Sequence, residues 1–149
     1  MAQPPPALHE IARIVLGYEA AGANAPDALA AALSRVLGKL QDDLNNLVGR
    51  RGVAALVGRA LHLAKRDFAN LDSVTFEAES PEVLIGLGRA LHGQRATEGE
   101  AACEAVVVQL LELLTGLLGD DLGLRPIHRI WPDVTSARRD GHDTRKTEQ

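Results

Sequence analysis

The segment Ala101–Leu118, AACEAVVVQLLELLTGLL, constrains this chain more than any other feature, because so long an apolar run must be hidden from water somewhere. Val106, Val107, Val108, Leu110, Leu111, Leu113, Leu114, Leu117 and Leu118 leave almost no polar side on a helix. Lipid or protein must cover it. Glu104, Gln109 and Glu112 interrupt the run, and each acid at a bilayer centre costs about 2.5–3.5 kcal/mol. The segment therefore reads as a core helix over 98–118, sheathed by other helices. A chain of 149 residues is long enough to supply that sheath as one domain.

The sheath is visible as helical periodicity. Leu8, Ile11, Ala12, Val15 and Tyr18 recur at helical spacing after Pro4–Pro6 and predict a first helix over 7–21. Gly22 suits its C-cap, and Pro26 the first turn of the next helix. From Asp27 the positions Leu29, Leu33, Val36, Leu37, Leu40, Leu44, Leu47 and Val48 form an amphipathic stripe, which Gly49 stops. Arg50 and Arg51 suit a helix C-terminus, and a third helix is expected over 53–68. Residues 71–78, LDSVTFEA, show a weak period of two and read as one short extended segment. With no second strand visible in the chain, a strand there would need a partner from a symmetry mate. Ser80 as N-cap and Pro81 at the first helical position predict a fourth helix through Leu91. Thr97 and Glu100 read as a capping box for the core helix, and Asp120 or Asp121 as the cap of a sixth helix carrying Leu122, Leu124, Ile127, Ile130 and Trp131. Trp131 is expected to lock that end down.

The predicted fold is all-α, a compact bundle of about five to six helices around the central helix. One domain spans 1–135, and the polar segment 136–149, SARRDGHDTRKTEQ, is expected to be disordered because it has too little to bury.

A net charge of −4 gives no basic surplus for a phosphate backbone, so nucleic acid is not an expected partner. Three Lys against thirteen Arg suggest a GC-rich bacterial gene. A single cysteine, Cys103, and an opening MAQPPP without a basic-then-apolar leader favour a reducing cytoplasm, with no membrane as partner. Cys103 lies among apolar neighbours, where burial raises a thiol's pKa and makes it inert.

The most specific motif is an echo. Gly58-Arg59-Ala60-Leu61-His62 returns as Gly88-Arg89-Ala90-Leu91-His92, and Arg125 with His128 repeats the Arg and His part. Residues three apart share a side of a helix, where Arg and His suit an anion or acidic partner. The candidate ligand-binding residues are thus Arg59, His62, Arg89, His92 and His128. The plainer reading, coincidence in a chain rich in Arg, Ala and Leu, is preferred. None of the five histidines is spaced for a metal. His128, beside Ile127, Ile130 and Trp131, is the best placed for haem in a site between helices. Glu104 and Glu112 lie about 12 Å apart along a helix, too far to share a proton, and read as a solvated edge.

No catalytic residue, metal site or cofactor is called for. The sequence favours a non-enzymatic regulatory or protein-interaction module that binds a protein partner or itself as a homodimer, through aliphatic rather than aromatic contacts. The alternative is a small-molecule or haem sensor with its ligand between helices.

Overall fold

The computed structural model describes residues 6–80 and 82–132. The expected tail at 136–149, the residues before Pro6, and Pro81 lie outside the described residues.

The chain is mostly helical. Helix α1, Pro6–Ala20, buries Leu8, Ala12, Val15 and Leu16. Its last turn closes with Gly22 N–H on the Gly17 carbonyl (3.1 Å) and Ala21 N–H on Tyr18 (3.2 Å), a paired C-terminal lock. Helix α2, Pro26–Asp67, starts on Pro26 as expected and is broken once, at Gly49 (φ 80°, ψ 163°). Before the break it buries the expected stripe from Leu29 to Leu44; after it, Val53, Val57, Ala60, Leu61 and Ala64. Helix α4, Ala96–Ile130, carries the apolar segment and is broken in the same way at Gly119 (φ 86°, ψ 166°). Both breaks need a backbone conformation that glycine adopts without strain. Among the described residues four α-helices, two of them broken, stand where five to six helices were expected.

The region between α2 and α4 departs furthest from expectation. Strand β1, Thr75–Phe76, pairs antiparallel with β2, Leu84–Ile85, in the register Thr75↔Ile85 and Phe76↔Leu84. The strand's partner therefore lies in the same chain, not in a symmetry mate. Leu84 and Ile85 fall where the sequence predicts the fourth helix, which shrinks to α3, Leu87–Leu91. Apolar residues at 83, 84 and 87 fit either period over so short a run. Positive φ at Val83 (60°) and Gly86 (85°) ends any helix there. Ser80 caps no helix; its Oγ accepts the Glu82 N–H at 3.3 Å within the hairpin loop. Ser34 Oγ of α2 donates to the Glu82 carbonyl and holds the loop down. The capping box is likewise absent, since α4 starts at Ala96 and Arg95 at its N-cap makes no side-chain bond.

Helices α1, α2 and α4 pack pairwise on one another, with α3 against α2. Within 101–118 only Gly116 and Leu117 are exposed, and Ala102, Cys103, Val106, Val107, Val108, Leu110, Leu111 and Leu114 are buried. By length and composition α4 is also able to cross a membrane; 44% of its apolar window is buried inside the protein. After Gly119 the helix folds back on itself so closely that a Cβ at Gly123 would stand 2.7 Å from Thr115 Cα and 2.9 Å from the Leu114 carbonyl carbon. Only glycine fits there.

The end of α4 is fixed by one carboxylate. Glu19, whose side chain is 5% exposed, accepts the Trp131 indole N–H at 2.8 Å and also pairs with Lys39 and with Arg35 (Nε 3.3 Å). Lys39 lies 6.0 Å from the centre of the Trp131 ring. One buried group thus ties α1, α2 and the end of α4. Burial pushes its pKa up, but Lys39, Trp131 and Arg35 together outweigh that and hold it below the ordinary 4.5.

Candidate functional site

All five candidate residues are exposed, and they stand on three different helices or their ends. Arg59 and His62 lie in the second half of α2, on one side of a continuous helix. Arg89 sits on α3, but His92 is that helix's C-cap in an extended conformation (φ −64°, ψ 138°), so the echo occupies two different local structures. His92 Nε2 meets Asp27 Oδ1 at 3.2 Å, a contact between two exposed side chains at the start of α2. His128 is exposed in the last part of α4 rather than enclosed between apolar helices. None of these residues lines the clefts bordered by Gln41, by Arg125, by Arg13 or by Gln94. Among the described residues no group of three His, Cys, Asp or Glu side chains stands where it could hold a metal.

The acids of the core helix are not a solvated edge. Glu104 is partly buried, and burial raises its pKa; Glu100 adds to this, while Arg13 and His9 oppose it. Glu112 has one carboxylate oxygen buried without a hydrogen-bond partner among the described residues. Both acids are half-buried rather than solvated. Cys103 is fully buried, and burial, then Glu104 and Glu100, push its thiol up to about 12. Its burial is as expected, an environment that disfavours the reactive thiolate.

Two features lie elsewhere. The first is the end of the molecule where both broken helices turn. Arg129 of α4 donates to Asp43 of α2 at 3.1 Å, so the stretch before Gly49 lies against the stretch after Gly119. Leu47, Leu122, Asn46, Arg125 and Pro126 join that pair around a cleft of about 190 Å³. Three large apolar side chains are left in water near these turns: Leu47 (53% exposed), Leu117 (63%) and Leu122 (41%). Arg50 and Arg51 follow the first turn, and Asp120 and Asp121 follow the second. All four are exposed, and none forms an ion pair among the described residues.

The second feature is a polar cleft of about 700 Å³ along α2, closed on one side by the hairpin loop. Ser34, Gln41, Asp42, Asn45, Arg50 and Arg51 line it from α2, and Glu79, Ser80 and Val83 from the loop. Gln41 is 9% exposed and its amide has no hydrogen-bond partner among the described residues.

Sequence reasoning missed both features. Leu47 fitted the core stripe, and Arg50, Arg51, Asp120 and Asp121 fitted the helix ends. Their doubling directly after two glycines was the one available signal. No known protein family matches this chain, and neither a curated protein nor a solved structure shows significant similarity to it.

Proposed function

We propose that this chain is a non-enzymatic protein-interaction module with a regulatory role in a bacterial cytoplasmic system, and that it docks through the end where its two broken helices turn. The observation that carries this reading is the exposure of Leu47, Leu117 and Leu122 near those two turns. Burying a leucine stabilises an association by about 1.5–3 kcal/mol, and exposed apolar clusters with a polar rim mark contact surfaces. The aliphatic character of the surface matches a chain with 3% aromatic residues. The packing of the core helix against α1 and α2 supports a reading without a membrane partner, and the net charge of −4 supports one without nucleic acid.

The test compares the purified chain with a Leu47→Ser/Leu117→Ser/Leu122→Ser variant, by light scattering and by the proteins each retains when immobilised. Loss of association in the variant, with helicity unchanged by circular dichroism, is expected. Equal mass and an equal retention profile in both proteins refute the reading.

One observation favours a second reading, a sensor for a small polar ligand: the cleft of about 700 Å³, which presents the Gln41 amide and charges of both signs. The lining carries Arg50 and Arg51 against Asp42 and Glu79, a balance suited to a zwitterion rather than an ion of one sign. Haem does not suit this polar lining. Titration with free amino acids and dipeptides, followed through the Gln41 side-chain amide by NMR, tests it; unmoved resonances at millimolar ligand dismiss it.

A further inference from the structure

The two turns carry opposite charge. Gly49 is followed by Arg50-Arg51 and Gly119 by Asp120-Asp121, at turns with nearly the same backbone geometry. The Asp43–Arg129 pair and the shared cleft bring the two stretches together at one end of the molecule. Among the described residues, however, neither the arginines nor the aspartates form an ion pair, whereas the nearby Asp43 and Arg129 satisfy each other. The exposed leucines lie within a few residues of both turns.

We infer that the partner of this end is a second copy of the chain, related by a two-fold axis, with Arg50 and Arg51 of each protomer facing Asp120 and Asp121 of the other. This rests on the interaction reading above and names its partner. A two-fold contact presents the same patch from both sides, so a patch holding a basic corner, apolar side chains and an acidic corner is complementary to itself when turned over. Orientations that bring like corners together set arginine against arginine and aspartate against aspartate, and are rejected by repulsion. Leu47, Leu117 and Leu122 supply the apolar contact, and the corners fix its orientation. Arg125, exposed on the same face, adds to the attraction for the partner's acidic corner.

Charge reversal tests this. Arg50→Glu/Arg51→Glu makes both corners acidic, and Asp120→Lys/Asp121→Lys makes both basic. Each variant alone is expected to self-associate at least about tenfold more weakly than the natural chain. Mixed one to one, the two variants form a heterodimer of natural affinity. The fourfold variant carrying both reversals recovers the homodimer, which also shows that the fold survives the substitutions. Sodium chloride near 1 M, where screening lengths shrink to about 3 Å, weakens the natural dimer.

Variants that keep the natural mass, or a mixture that stays monomeric, overturn the second-copy arrangement. If the natural chain is a monomer at about 100 μM, far above a micromolar Kd, yet retains a partner in a leucine-dependent way, the second copy is wrong and the interaction reading stands. If the leucine substitutions also change nothing, the interaction reading itself falls.

Discussion

Replacing Glu19 with alanine removes the one acceptor shared by Arg35, Lys39 and Trp131. The two cations have side chains about half exposed (49% and 46%), so screening leaves each pair worth at most about 1 kcal/mol. The indole is different. Trp131 is 2% exposed, and its N–H has a charged acceptor at 2.8 Å, a bond worth about 1.5–3 kcal/mol, whose loss leaves a buried donor unsatisfied. The sum is a destabilisation of about 2–4 kcal/mol, and at ~2–4 °C per kcal/mol for a chain of this length the Tm falls by about 5–15 °C. Trp131 is the only tryptophan, so its fluorescence reports the lock directly, and urea unfolding gives the free energy. Glu19→Gln keeps an acceptor for the indole and is expected to lose less. The pH dependence provides a second check. The folded-state pKa is depressed, so the Glu19 contribution is present above the unfolded value of 4.5 and fades as pH falls through the folded value. The gap between natural chain and Glu19→Ala therefore narrows in acid. A loss below about 0.5 kcal/mol, the level of an ordinary surface substitution, with unchanged Trp131 emission, refutes the argument.

Three further outcomes follow from the same physics. Gly123→Ala forces a Cβ into the Thr115 backbone and is expected to cost about 1–3 kcal/mol or more, whereas Gly116→Ala, with open space around it, gains about 0.5–1 kcal/mol of helix propensity; thermal melts of the two variants should move in opposite directions. Glu104 has a raised folded-state pKa, so its contribution is fully present below 4.5 and lost as pH rises through the folded value; Glu104→Gln should be more stable than the natural chain at pH 7, with the difference vanishing in acid on paired urea titrations. Cys103, buried with its thiol near pKa 12, should resist a thiol-reactive disulfide reagent in the native state and react at once in denaturant; stoichiometric native labelling within minutes contradicts its burial.

The sequence alone determined the helical class, the core stripe from Leu29 to Leu44, the helicity of 101–118, the burial of Cys103, and the breaks at Gly49 and Gly119. These follow from periodicity and from glycine's freedom at positive φ, which are properties of neighbours along the chain. Tertiary structure decided the rest. Leu84 and Ile85 became a strand because Thr75 and Phe76 were there to pair with, a choice that a short run of apolar residues leaves open. Glu19 could not be singled out, since its partners lie 16, 20 and 112 residues away in sequence. Leu47 looked like core until the structure left that turn of the stripe uncovered. The doubled charges of 50–51 and 120–121 were plain to read, but only folding brought the two turns to one end of the molecule. Local pattern fixes which residues can be helical or apolar; which surfaces remain bare depends on what distant segments cover.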